Sequence, residues 1–540
     1  MQKEICEKES AEQQAGCSGT GFIGRDFLAL LFLSAITITI YSHTLGSPFV
    51  LDDSANILKN QYIRIADLKP ESLYNAAFKS LRIKRPVSNI SFALNYYIGH
   101  YNVLGYHVVN IFIHMASGMV LYLFLRITLN ISSPTRPQAR LISFFAALIW
   151  LVHPVQTQSV TYIVQRMTGM AALFYLLTML LYAKARVANQ QGCLKTGDKR
   201  PARAYLYFIG AFFSAIIALG SKENAATLPF FLILYEWFFF QDMKRDWLKR
   251  NGVYFLGIFS LFLLLVFIYV GGNPVAKILS QYQTRDFSLV QRLLTESRVV
   301  IYYLTLLAFP HPSRLNLEHD FPLSYSLTDP VSTILSILSI IGIMVAGMLF
   351  AGKERLWSFC ILWFLGNLVL ESSFIGLEII FEHRLYLPSM LIFIIPVTLF
   401  SRVIKSEYAA KGILCLFIMV FSIWTYQRNQ IWKDEITLFT DCVQKSPNKA
   451  RPHISLGIAL IRAGRNDEAI ITLFKAVQLN PKSASAHNSY GVALSIAGDI
   501  EQAIPHFEEA IRILPIYEEA KHNLDKALAY QKEDERIDRR

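Results

Sequence analysis

Between residues 26 and 426 the chain passes repeatedly from long apolar runs to short polar connections. Twelve runs stand out, near 26–42, 106–127, 139–152, 169–185, 203–219, 225–240, 252–271, 290–309, 330–351, 356–372, 387–402 and 411–426. Several approach the ~17–25 residues that a helix needs to cross a bilayer. The pattern predicts an all-α, polytopic membrane bundle. The run at 290–309 opens with Arg292, Glu296 and Arg298, and each charge at mid-membrane costs about 2.5–3.5 kcal/mol. It reads as an interfacial or re-entrant helix, leaving eleven spans.

From residue 427 the pattern changes and repeats itself. Pro447, Pro481 and Pro515 are 34 apart, and Gly457/Gly491, Gly464/Gly498, Ala469/Ala503 and Ala476/Ala510 keep the same offset. This is the tetratricopeptide (TPR) period, in which small residues let two helices approach closely and proline closes each unit. Two full repeats are expected near 448–481 and 482–515, with a half-repeat before them and a closing helix after. The chain therefore divides into a polar tail (1–24), a membrane domain (25–426) and a TPR α-solenoid (427–540).

Composition agrees with this division. Of 540 residues 53% are hydrophobic and only 17% charged, against about 45–50% and 25% in average soluble chains. Residues 1–426 hold 36 Lys and Arg against 24 Asp and Glu, whereas 427–540 hold 16 of each, so the net +12 belongs to the apolar part. That excess suits cytoplasmic loops and membrane lipids rather than nucleic acid. The six cysteines are scattered without a C-x-x-C pair, which argues against a disulfide framework. The first apolar run lacks a small-residue cleavage site and reads as a signal anchor.

Loop charge sets the expected orientation. With the N-terminus cytoplasmic, the basic connections 126–140, 184–203 and 241–250 all fall inside. If 290–309 does not span, Lys353–Arg355 and Arg402–Lys411 join them. The connections 43–105, 153–168, 220–224, 272–329 and 373–386 then share the opposite, periplasmic or lumenal face, as does the TPR module. The membrane would be a bacterial inner membrane or the endoplasmic reticulum.

Ionisable residues at that face are the candidates for chemistry. Asp52 and Asp53 follow an apolar anchor just beyond the first span, where a carboxylate can act as a general base or hold a divalent cation such as Mg or Mn. Asp-Asp-Ser is also ordinary turn chemistry. His153 precedes Arg166, a guanidinium suited to phosphate or simply to lipid headgroups. Lys222 and Glu223 form a short polar patch between apolar runs, equally readable as a hairpin turn. Glu382, His383 and Arg384 abut another span. His107, Asn110 and His114 share a helix face, better suited to hydrogen bonds within the bundle than to a metal. No Walker loop, G-x-G-x-x-G, G-x-S-x-G or H-E-x-x-H occurs. Acids and cations on one face are what a transferase with a lipid-phosphate donor needs.

These stretches, in order, resemble the TMTC-type family of protein O-mannosyltransferases. They are Gly46-Ser47-Pro48-Phe49-Val50-Leu51-Asp52-Asp53, Arg85-Pro86-Val87 with Asn95, Gly105-Tyr106-His107, His153-Pro154-Val155-Gln156-Thr157, Ser221-Lys222-Glu223 and Glu382-His383-Arg384-Leu385-Tyr386-Leu387-Pro388-Ser389. The resemblance implies a GT-C membrane fold and a polyprenyl-phosphate sugar donor. It implies catalytic roles for Asp52 and Asp53 and donor-phosphate roles for Arg166, Lys222 and Arg384. His107, His153, Glu223, Glu382 and His383 would support them. The expected reaction moves one sugar, mannose, onto Ser/Thr of an exported protein that the TPR module helps to bind. Family members often carry longer repeat arrays than the two units here. Competing readings are a lipid-linked glycan polymerase or ligase, and a non-catalytic TPR-bearing membrane scaffold or transporter.

Overall fold

A computed structural model describes residues 19–82, 84–132, 138–196, 201–271 and 273–538 of the chain. The tail through residue 18, with Cys6 and Cys17, lies outside these, as do 133–137 and 197–200 of the basic connections. Among the described residues every regular element is helical.

Among the described residues six helices are long and apolar enough to cross a membrane: Gly24–Thr44, Val103–Ser132, Ile163–Gln191, Ala202–Leu219, Ser332–Leu349 and Glu407–Lys433. A seventh appears if Ala139–Val152 and Pro154–Thr161, bent by 51°, count as one span. The eleven runs expected to span include shorter apolar helices as well. The runs at 225–240 and 356–372 form helices of only 12 and 14 residues, Leu228–Phe239 and Arg355–Leu368. At ~1.5 Å per residue neither is as long as a ~30 Å hydrocarbon core. Their apolar side chains fill the protein interior instead: Phe231, Tyr235, Phe359 and Trp363 are fully buried and in mutual ring contact. The run at 252–271 lies in the Arg245–Val270 helix, which has the length to span.

Side-chain contacts sort the loops onto two ends. At one end Asp26 accepts from Tyr122 at 2.6 Å and pairs with Arg126 and Arg140. Gln138 and Leu141 face Ser401, Lys405 and Lys411 across a small cleft. Arg402 pairs with Glu354 at 2.7 Å and Arg355 with Asp242 at 2.8 Å. The loops carrying the basic excess are therefore gathered together.

The Leu289–Ala308 helix belongs to the opposite end throughout its length. It starts at a Ser288/Gln291 capping box, near which Arg292 donates to the Ser373 and Glu371 carbonyls. At its other terminus Leu307 offers its carbonyl to His153, and the following Phe309 packs on Trp424. All these partners lie in or beside the connections of that end, so the helix lies across the bundle rather than through it.

The C-terminal helices continue directly from Glu407–Gln430 through a turn at Ile431–Lys433. Ala450–Arg462 packs on Asn466–Leu479, and Ala484–Ala497 on Ile500–Ile513. The small residues are needed where these pairs meet, since a Cβ on Gly457 would collide with Leu473 and one on Gly491 with Phe507. One apolar cluster runs from Val50, Ile57 and Ile63 through Tyr162, Leu317 and Trp432 into Leu438, Leu456 and Leu473. The module thus shares a core with the loops of the membrane domain.

Candidate functional site

The acidic turn sits where the chain leaves its first span. Leu51 adopts φ +42°, the left-handed region that a leucine rarely enters, and the two acids after it face different surroundings. Asp53 is fully buried. Its two carboxylate oxygens accept the Val50 N–H at 2.9 Å and the Val164 N–H at 2.7 Å. Burial pushes this carboxyl up to about 8 against the pull of those N–H groups. Asp52 is exposed, and its backbone N–H donates to Tyr162 Oη at 2.8 Å. The sequence treated the pair as equivalent; the structure makes Asp53 a pin between two segments and leaves Asp52 facing outward.

Arg166 starts the Arg166–Thr196 helix and is buried. Its guanidinium donates to Asn110 Oδ1 at 2.8 Å, the Tyr106 carbonyl at 2.9 Å, and the Ser91 carbonyl and hydroxyl at 3.2 and 3.1 Å. Phe92 covers it at 4.8 Å. All three nitrogens have protein acceptors, so the residue ties together three helices. His107 contacts the Ser47 carbonyl at 2.9 Å through Nε2 and leaves a buried Nδ1 without a partner. His153 contacts the Leu307 carbonyl at 3.1 Å. Asn110 donates to the Val160 and Ile163 carbonyls, and His114 bridges Tyr386 and Leu151. The hydrogen-bonding expectation for this helix face holds.

Lys222, Glu223, Glu382, His383 and Arg384 converge. Lys222 Nζ lies 2.7 Å from Glu371 Oε1 and donates to Thr168 Oγ1 at 3.0 Å. Glu223 pairs with Arg85 at 2.8 Å, which outweighs burial and keeps its carboxyl below the usual range. Arg384 donates to the Ile379 and Glu378 carbonyls and stands 3.7 Å from Glu296. Glu296 is itself 2.7 Å from Arg292, yet burial raises its carboxyl to about 7. His383 stacks on Phe381 and contacts Gln158 Oε1. Burial, with the fields of Lys222, Arg384 and Arg85, pushes its pKa well below the usual value and keeps the ring neutral. Glu382 accepts from the Asn316 N–H and lies 3.0 Å from His319 Nε2.

A continuous line of polar contacts joins these groups to the acidic turn. It runs from Lys222 through Thr168 to Gln165, beside the Val164 that binds Asp53. In the other direction it runs through Glu371, Arg292, Glu296 and Arg384 to Glu378. Glu378 then pairs with Arg285 and Arg451. Cations that could face a phosphate and a carboxylate that could face a hydroxyl share this end of the bundle. Among the described residues no group of three or more His, Cys, Asp or Glu is arranged around a metal. With Asp53 committed to two N–H groups, the acidic pair is a poor fit to a shared cation.

Sequence reading missed Arg85 as the partner of Glu223, and missed Gln158, Glu318 and Arg451. It noted Arg292 and Glu296 only as a cost; a buried pair in an otherwise apolar run is itself the usable signal.

Comparison with known proteins agrees with the motif resemblance. No family model matches the chain. It is similar to a protein O-mannosyl-transferase of Caenorhabditis elegans, 24% identical over 82% of this chain and 61% of that one. It is also similar to the Drosophila melanogaster protein O-mannosyl-transferase Tmtc3, 24% identical over 83% and 54%. The human protein O-mannosyl-transferase TMTC2 is 31% identical over 40% of this chain and 25% of its own length. The chain thus spans 61% and 54% of the length of the worm and fly relatives. The resemblance to the TMTC-type family is borne out.

Proposed function

From this kinship with the TMTC-type protein O-mannosyl-transferases, we propose that the chain is a GT-C-type integral-membrane glycosyltransferase. Residues 25–426 form the transferase domain, and 427–540 form a TPR domain of two repeats that presents the acceptor. The reaction moves one mannose from a polyprenyl phosphate to a Ser or Thr hydroxyl of an exported protein. The N-terminal tail and the basic end of the bundle are cytoplasmic; the polar site and the TPR domain are periplasmic or lumenal, following the positive-inside rule. The observation that carries this reading is the exposed Asp52 carboxylate at the same end as buried Lys222 and Arg384 and half-buried Arg85.

The acceptor hydroxyl oxygen attacks the anomeric carbon as its proton passes to Asp52. The bond from that carbon to the phosphate oxygen breaks, and the polyprenyl phosphate leaves with the electron pair. Lys222 and Arg384, together with Arg85, supply positive potential where that charge develops. Asp53 fixes the turn that carries Asp52. Arg166 fixes the helix start, and His107, His153, Glu223, Glu382 and His383 hold the surrounding segments in register. Mass analysis of an acceptor protein incubated with purified chain and polyprenyl-phosphate mannose tests this. A single hexose on Ser/Thr supports it, whereas a lengthened lipid-linked glycan or no transfer contradicts it.

A further inference from the structure

The polar line described above does not end within the membrane domain. Arg451 lies in the first helix of the first repeat, Ala450–Arg462, and reaches back between two carboxylates of the membrane domain. Its Nε is 3.0 Å from Glu318 Oε1 and its Nη1 is 3.0 Å from Glu378 Oε1. Glu318 is nearly inaccessible, so the pair is held away from solvent on the acid side. Lys449 approaches the same Glu318 at 3.9 Å.

The segment bearing Glu318 is clamped to the module. Ser446 Oγ donates to the Glu318 carbonyl at 2.7 Å, and Asn316 donates to Ser446 Oγ at 2.9 Å. Lys445 donates to the Pro312 and Leu315 carbonyls at 2.9 and 2.8 Å. Glu378 carries the carbonyl to which Arg384 donates. One arginine from the repeats therefore sits one residue away from a proposed phosphate-facing cation.

We propose that Arg451 is a positioning residue of the membrane site: by bridging Glu318 and Glu378 it fixes the segment that aims Arg384 and sets the charge facing Asp52. This rests on the transferase reading above and adds that the repeat module is a wall of the site, not a separate tether. The groups facing Glu318 are Arg451, Lys449, Glu378 and Asp52, and those facing Glu378 are Arg451, Lys449, Arg285 and Arg384. Burial lowers the Arg451 pKa most, but Glu318, Glu378 and Asp52 together outweigh it and hold it above the usual arginine value. Without Arg451, two acids and Asp52 would face one another with Lys449, Arg285 and Arg384 left to offset them.

Full-length Arg451→Met and Arg451→Lys are compared with wild type in lipid nanodiscs. Transfer from polyprenyl-phosphate mannose is followed across pH, with backbone hydrogen exchange at 314–320 and 376–380. Arg451→Met should lower kcat by about tenfold or more, leave the acceptor KM within about threefold, and move the acidic limb of the profile to higher pH. Arg451→Lys should recover most of kcat. Both segments should exchange faster in Arg451→Met. An unchanged kcat and pH profile, or an effect on acceptor KM alone, would overturn the proposal. If wild type transfers no sugar, the transferase reading fails while exchange still decides whether the bridge orders the site; unchanged exchange then overturns it.

Discussion

Lys222 Nζ and Glu371 Oε1 lie 2.7 Å apart with no more than a tenth of either side chain exposed. Burial pulls the Lys222 pKa down, so the ammonium depends on that carboxylate for its charge. Removing one member of a buried pair strands the other, at about 3–5 kcal/mol. Lys222→Met should lower thermal stability by roughly that amount and abolish transfer. Lys222→Met with Glu371→Met should recover most of the stability without activity, because an apolar pair can replace an ion pair but cannot face a phosphate. Thermal unfolding in detergent beside a transfer assay checks both halves.

The two adjacent acids should separate cleanly. Asp53→Asn replaces one accepting oxygen with an NH2 group and orphans a backbone N–H of Val50 or Val164, a loss of about 1–3 kcal/mol. It should therefore lower the melting temperature. Asp52→Asn should leave it unchanged, since Asp52 is exposed.

Asp53 also predicts a pH dependence. Its carboxyl is raised to about 8 in the folded chain, so the fold holds a proton there that the unfolded chain releases near the ordinary aspartate value of about 4. Its contribution is fully present at acid pH and is lost as pH rises from about 4 through about 8. Thermal melts across that window should show the decline in wild type and a shallower one in Asp53→Asn, where the raised Glu296 carboxyl still contributes up to about pH 7.

Arg166 can be assigned by one conservative change. Arg166→Lys keeps the charge but cannot reach Asn110, Ser91 and Tyr106 together. It should destabilise the chain by about 2–3 kcal/mol, with donor KM little altered in the fraction that folds. Normal stability with a raised donor KM would return Arg166 to the donor phosphate.

How much of this was legible in the sequence varies by residue. The helical class, the 34-residue repeat and the non-spanning character of 290–309 follow from hydropathy and spacing, because those depend on local pattern. The short helices Leu228–Phe239 and Arg355–Leu368 read like the longer spans, because apolar residues facing a protein core and those facing lipid look alike in a linear sequence. At the site, Lys222 and Arg384 stood out as charges beside spans. Asp52 and Asp53 could not be told apart, because what separates them is the Val164 N–H, supplied by a segment 111 residues away. Glu318 and Arg451 gave no local signal at all, since each acquires its meaning from the other.

The central claim is that Asp52 takes the acceptor proton. The most direct measurement is the single-turnover rate of mannose transfer by full-length Asp52→Asn against wild type, at equal donor occupancy and equal melting temperature. The account predicts a rate at least about 100-fold lower with donor and acceptor binding retained; a wild-type rate in Asp52→Asn would contradict it.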